Sequence, residues 1–193
     1  MNKLFKNIGT RSVLYGAHCF FIHPWFVALA WWKLFGFPFD PRLWIAFFVH
    51  DLGYIGKPNM DGTEGELHPY FGASIMKIFG QRWFLFTLYH SRFLAKRHGA
   101  NISRLCIADK MSFALTPRWL YLPMANWTGE IEEYMHLAGT GKYAGENRKS
   151  TNQKEWHEGV VSYMSKWIEE HKDLRPDTWT ETNRASDANG VYK

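Results

Sequence analysis

The sequence predicts an all-α fold, a bundle of about six to eight helices forming one domain over residues 1–172. Three observations carry this. Apolar residues recur at helical spacing, as in Phe71, Ile75, Met76 and Phe79, and again in Trp156, Val160, Tyr163, Met164 and Trp167. Helix-start chemistry precedes several such runs, as in His23-Pro24 and Asp40-Pro41. No stretch reads as a convincing strand, and no internal repeat is present.

Taken in order, residues 1–10 read as a polar lead-in and Ser12 to Ile22 as one helix. Proline is tolerated in the first turn of a helix but not deep inside one, so His23-Pro24 starts a new helix or a kink running to Phe35. Gly36 to Asp40 is turn chemistry. Asp40 caps the next helix, which carries Leu43 to Val49 up to His50-Asp51. Gly53 to Gly65 is a glycine-containing loop with Pro58, in which Lys57 is the one cation among Asp61 and Glu64. Helices are then expected over His68–Phe79, Arg82–Leu94 and Ile102–Leu115, the last stopped by Pro117. Trp119 to Asn126 reads as aromatic and irregular. Thr128 is placed to cap a helix opening with Glu130, Glu132 and Glu133, acids favourable near its N-terminus. Residues 139–152 read as a polar, mobile connection and Gln153–His171 as an amphipathic closing helix. Residues 173–193 lack periodicity and read as a disordered tail.

The chain is 46% hydrophobic and 18% aromatic, which calls for a core built from large rings. A net charge of +5 favours anionic partners, but the basic residues form no long stripe, so stable nucleic-acid binding is not expected. Two cysteines give no disulfide framework and fit a reducing cytoplasm. Ser12 to Trp32 contains no Asp, Glu, Lys or Arg and is long enough to span a bilayer. Gly16, His18, His23 and Pro24 interrupt it and no second such run follows, so a buried helix pair is expected, with no membrane partner.

The most informative stretch is Phe48-Val49-His50-Asp51-Leu52-Gly53, at the end of an apolar run. A buried, ionised Asp is costly unless positive charge meets it. A divalent transition metal meets that need, since imidazole and carboxylate are both good ligands. Neighbours in a helix point about 100° apart, so further ligands must come from other helices. His23, His68, His90 and Asp109 each lie in or beside an apolar segment, where polar groups need partners. Four His and two Asp could hold two metals with Asp51 as the bridge.

The order His23, His50-Asp51, His68, His90, Asp109 resembles the HD superfamily of metal-dependent phosphohydrolases. The likeness runs over residues 12 to 116. His23 with Val27-Ala28 is similar to the opening helix of that family, Val49-His50-Asp51-Leu52-Gly53 to its signature, and Glu66-Leu67-His68-Pro69 to the helix carrying the next His. Tyr89-His90-Ser91-Arg92 and Ile107-Ala108-Asp109-Lys110 match the last two stations. The resemblance implies an all-α fold, one or two divalent ions (Mn, Fe, Co, Ni, Zn or Mg) and hydrolysis of a phosphorylated small molecule, a nucleotide first of all. It implies ligands His23, His50, Asp51 and Asp109 for one ion and Asp51, His68 and His90 for the other. Catalytic roles would fall to His50, Asp51 and Lys57, and substrate contacts to His18, Arg92, Lys96, Arg97 and Lys110.

Two features depart from the family pattern. Tyr54 stands where the family often has Lys, with Lys57 three residues later, and His18 competes with His23 as first ligand. Some HD-like proteins use the same ligands in a mixed-valent di-iron oxygenase, and a metal that only staples the fold is a third reading.

Overall fold

The computed structural model describes residues 7–139 and 152–173. The expected mobile connection lies largely outside these residues, and the tail almost wholly so. Ten α-helices and no strand occur among the described residues. They are α1 (Ile8–Tyr15), α2 (His23–Phe35), α3 (Pro41–Val49), α4 (Pro69–Met76), α5 (Gln81–Leu88), α6 (Arg92–Arg97), α7 (Arg104–Leu115), α8 (Arg118–Thr128), α9 (Glu130–Gly139) and α10 (Gln153–His171).

Several starts follow the local sequence. Pro24, Pro41 and Pro69 open α2, α3 and α4, where a missing N–H costs nothing. Asp40 accepts from the Arg42 N–H at 2.9 Å and caps α3.

The chain breaks where single longer helices were expected. α1 begins earlier, at Ile8, and stops at Tyr15, so Gly16 to Ile22 is a run of turns. The cause is Glu130. A Cβ on Gly16 would lie 2.0 Å from its Oε1, and the Ala17 N–H donates to the same oxygen at 3.1 Å. The expected helix over Arg82–Leu94 is two, α5 and α6, because Ser91 caps α6 by accepting from the Leu94 N–H at 3.3 Å. Trp119 to Asn126, expected to be irregular, is part of α8, which carries Pro123 in its interior. Thr128 ends α8 instead of capping α9: it is the last residue of α8, and its hydroxyl donates to Glu130 Oε1 at 2.5 Å.

Helices α2 and α7 lie side by side at the centre. Val27, Ala30 and Trp31 of α2 pack with Phe47 of α3, Phe86 of α5, and Leu105 and Ala108 of α7. Trp31 meets Phe35, Phe47 and Phe86 with ring centroids 5.0–5.9 Å apart. Each fully buried ring of this kind stabilises the fold by roughly 1.5–3 kcal/mol. Cys19 and Cys106 are both buried and free. No helix among the described residues is long and apolar enough to cross a membrane.

Two glycines let the site's segments approach. A Cβ on Gly53 would lie 1.9 Å from the His68 carbonyl oxygen, and one on Gly72 would lie 2.3 Å from that of Val49. The turn after Asp51 therefore rests directly on the start of α4. Gly53→Ala is expected to cost roughly 2–3 kcal/mol by forcing these backbones apart. Urea unfolding of the metal-free protein checks it; a loss under about 0.5 kcal/mol would show that the contact is not tight.

Candidate metal centre

Helix ends place five of the six expected ligands. His23 is the first residue of α2, and His68 directly precedes Pro69 of α4. His50 follows the last turn of α3, and Asp51 opens a short 3₁₀ turn, Leu52–Tyr54. His90 sits in the break between α5 and α6. Asp109 alone comes from a helix interior, in α7. All six are buried.

Their donor atoms form two groups, each capable of holding a metal ion: His23, His50, Asp51 and Asp109, and Asp51, His68 and His90. In the first, His23 Nε2 lies 3.3 Å from His50 Nε2, 3.3 Å from Asp51 Oδ2 and 3.1 Å from Asp109 Oδ1. His50 Nε2 lies 3.0 Å from Asp51 Oδ2 and 3.8 Å from Asp109 Oδ1. In the second, the Nε2 atoms of His68 and His90 are 3.0 Å apart, and each is 3.4 Å from Asp51 Oδ1. Donors bound at about 2.1 Å to one ion, at octahedral or tetrahedral angles, stand roughly 3.0–3.4 Å apart. All but one of these separations match that spacing. Asp51 divides its carboxylate, Oδ2 to one group and Oδ1 to the other.

The hydrogen bonds behind the imidazoles point the same way. Nδ1 of His50 lies 2.9 Å from the Phe47 carbonyl, that of His68 2.7 Å from Gly65, and that of His90 2.6 Å from Thr87. A carbonyl only accepts, so Nδ1 carries the hydrogen in each ring. In the neutral ring, Nε2 then presents its lone pair to the centre. His23 Nδ1 faces Ser112 Oγ at 3.5 Å, whose hydroxyl already donates to the Asp109 carbonyl at 2.7 Å. Lone pairs facing each other at 3.0 Å repel unless a cation lies between them. Asp51 Oδ2 is buried and accepts no hydrogen bond. Together these observations fit a bound divalent ion, and ring-backing bonds of this kind are what orient metal ligands.

The electrostatics state the same demand for positive charge. Burial alone would lower His50, but Asp51 and Asp109 outweigh it and bring the imidazole up to about 10. Burial opposes ionisation of Asp51 too, yet His50, His23 and His68 hold it well below the usual carboxylate range. Asp109 is likewise held low against burial, first by Lys110, whose Nζ is 2.8 Å from Oδ2. Burial and the neighbouring His90 bring His68 down to about 4, against the pull of Asp51.

A cavity of about 580 Å³ opens onto the two groups. Of the expected substrate contacts, His18, Arg92, Lys96 and Lys110 line it. Arg92 lies over the Trp167 ring of α10, 5.3 Å from its centroid. Arg97 does not line the cavity; it is exposed at the end of α6. Nor is Lys57 brought to the centre: its carbonyl accepts from the Gly9 N–H at 3.1 Å, and its charge lowers Glu64. The 3₁₀ turn directs Tyr54 inward and leaves Lys57 outside.

Two residues that support the centre or the cavity beside it were not among the site residues expected from the sequence. Tyr54 is buried, with its ring stacked on His68 at 3.8 Å and 15°, so it fixes that ring's plane. Glu130 is fully buried and receives bonds from Ser12 Oγ at 2.8 Å, Ala17 N at 3.1 Å and Tyr134 OH at 3.3 Å. It also faces His18 Nδ1 at 3.3 Å. The position of Tyr54 directly after the signature was a signal for the first; nothing local marked the second.

The two candidate first ligands separate cleanly. His23 belongs to the first group, whereas His18 is turned to Ser12 and Glu130. His23→Ala is expected to lose the metal of the first group, and His18→Ala to keep full occupancy. Metal analysis of both variants checks this, and the reverse result would make His18 the ligand. Comparison with family models, curated proteins and solved structures finds no match for this chain.

Proposed function

We propose that this chain is a metal-dependent phosphohydrolase of the HD type, with His23, His50, Asp51 and Asp109 holding one divalent ion and Asp51, His68 and His90 a second. The observation that carries the reading is the division of the Asp51 carboxylate between two histidine groups. Ions bound there supply a water whose pKa is lowered toward ~7 and positive charge for the phosphoryl oxygens.

The chain's own residues do the rest. Asp51 fixes the two halves of the centre relative to each other. Lys110 balances the charge of Asp109 and holds its second oxygen. Arg92 and Lys96 line the approach and attract the anion. Glu130 holds His18 by Nδ1, which fixes the ring facing the cavity. In the reaction, the oxygen of water bonds to phosphorus and the ester P–O bond breaks. The alcohol leaves with one proton of that water, and inorganic phosphate keeps the other or releases it to solvent.

Purified, metal-loaded protein is expected to release phosphate from a phosphomonoester. Chelation should lower the rate at least ~10²-fold, and a divalent transition metal should restore it. Oxygen uptake by the iron-loaded protein without phosphate release would replace this reading by a di-iron oxygenase. Full metal occupancy with neither activity would leave a metal that staples the fold.

A further inference from the structure

We propose, resting on the phosphohydrolase reading, that the substrate is a phosphomonoester of a bulky, apolar alcohol, with its phosphate at the metal centre and its body against an aromatic wall. The cavity reaches well beyond the six ligands. Its far side is lined by Phe113 of α7, Tyr121 of α8, Tyr134 of α9, and Trp156, Val160 and Tyr163 of α10. Helix α7 joins the two ends, since Phe113 follows Asp109 by four residues and so lies about one turn, roughly 6 Å, further along. The wall is continuous. The Phe113 ring meets Tyr121 edge-on at 4.7 Å, and Tyr134 lies parallel to Trp156 at 6.2 Å. Arg92 of α6 over Trp167 extends the contact of α10 toward the cationic end.

The character of the lining selects the body of the ligand. Among the described residues that line the cavity there is no Asn or Gln, the side chains best suited to read both donors and acceptors of a nucleobase edge. A site that reads polar edges must present matching groups, and one that buries an apolar body needs rings and aliphatic carbon. Three cations (Arg92, Lys96 and Lys110) line the cavity against four carboxylates (Asp51, Asp61, Glu66 and Asp109). That leaves one negative charge in excess, which two divalent ions would turn into three positive. A phosphomonoester dianion leaves one positive charge over and a triphosphate of about four charges one negative, so the site takes an anionic ligand and charge alone fits both. Lys110 is in any case already paired with Asp109. The ring-rich lining without Asn or Gln, rather than the charge, favours an apolar monoester over the nucleotide that the family resemblance implies.

The test uses non-hydrolysable probes, so that binding is read apart from turnover. Calorimetric titration of the metal-loaded protein compares 1-naphthylmethylphosphonate, methylphosphonate and adenosine 5′-monophosphate. Withdrawing about 60 Å² more apolar surface from water corresponds to roughly tenfold in affinity. The naphthyl probe is therefore expected to bind at least tenfold tighter than either of the others. Val160→Asp and Met164→Asp, both at half-buried positions of α10 on the cavity, should cut that preference below threefold. Metal content and methylphosphonate binding should stay as in the wild type. Adenosine monophosphate binding as tightly as the naphthyl probe would overturn the inference, as would an unchanged preference in both variants. If the naphthyl probe binds tightly but 1-naphthyl phosphate is not hydrolysed, the phosphohydrolase reading falls and the assignment of the cavity stands.

Discussion

Asp51→Ala is expected to empty both halves of the metal centre. Its Oδ2 lies 3.0 Å from His50 Nε2 and 3.3 Å from His23 Nε2, and its Oδ1 lies 3.4 Å from both His68 and His90. Among the described residues, no other contributes to both groups. His50→Ala should remove only the first ion and His90→Ala only the second, so stoichiometry falls from two toward one in each and toward zero in Asp51→Ala. On the phosphohydrolase reading proposed above, phosphate release should fall at least ~10³-fold in Asp51→Ala, a loss of roughly 4 kcal/mol of transition-state stabilisation. The metal-free fold should survive. Without Asp51, Asp109 loses a like-charged neighbour, and His50 keeps Asp109 as a partner while losing one of the two carboxylates that raise it. Asp51→Asn, of nearly equal volume, should match the alanine variant if charge, not packing, is what counts. Metal analysis decides the matter, and full occupancy in Asp51→Ala would remove the basis for a bridged centre.

The ligands were legible because helix ends leave local marks. His23-Pro24, Asp40-Pro41 and His68-Pro69 each pair a proline with a turn or start residue, and α2, α3 and α4 begin there. His50-Asp51 closes an apolar run whose burial makes an unpaired carboxylate costly. What remained illegible depends on partners far along the chain. Glu130 reads locally as one of three acids in the first turn of α9, and it does occupy that place. Its bonds to Ser12 and His18 close over 118 and 112 residues, and no helical period reports such a pairing. The same long-range contact ends α1 at Tyr15, which apolar periodicity alone would have carried through to Ile22. Helix α8 was missed for the opposite reason. Pro123 is a strong local breaker signal, but tertiary packing of Tyr121 and Ala125 overrides it.

Glu130→Ala is expected to be the most destabilising single change outside the apolar core. Besides Ser12, Ala17, His18 and Tyr134, its Oε1 receives the Thr128 hydroxyl at 2.5 Å. Truncation strips the acceptor from donors on α1, the turn after it, α8 and α9 at once. Removing one member of a buried, hydrogen-bonded charge pair costs about 3–5 kcal/mol. His18 is only half-buried and can shed its proton, which places the expectation at the lower end. Glu130→Gln keeps the volume and one acceptor oxygen, so it should cost roughly 1–2 kcal/mol and leave a protein that can be studied. Its pH dependence isolates the charge. Burial would raise Glu130, but His18, Thr128 and Ser12 outweigh it and set the carboxyl below its ordinary 4.5. Burial would lower His18, but Glu130 and the nearby Asp51 and Asp109 outweigh it and set the imidazole above its ordinary 6.5. The Glu130 contribution is therefore complete above 4.5 and fades as pH falls through its lower folded value. The His18 contribution is complete below 6.5 and fades as pH rises through its higher folded value. The stability advantage of wild type over Glu130→Gln should peak between those two ordinary values and narrow on either side. Urea unfolding of both proteins across that range measures it, and a difference that does not vary with pH would mean that Glu130 and His18 meet as neutral groups.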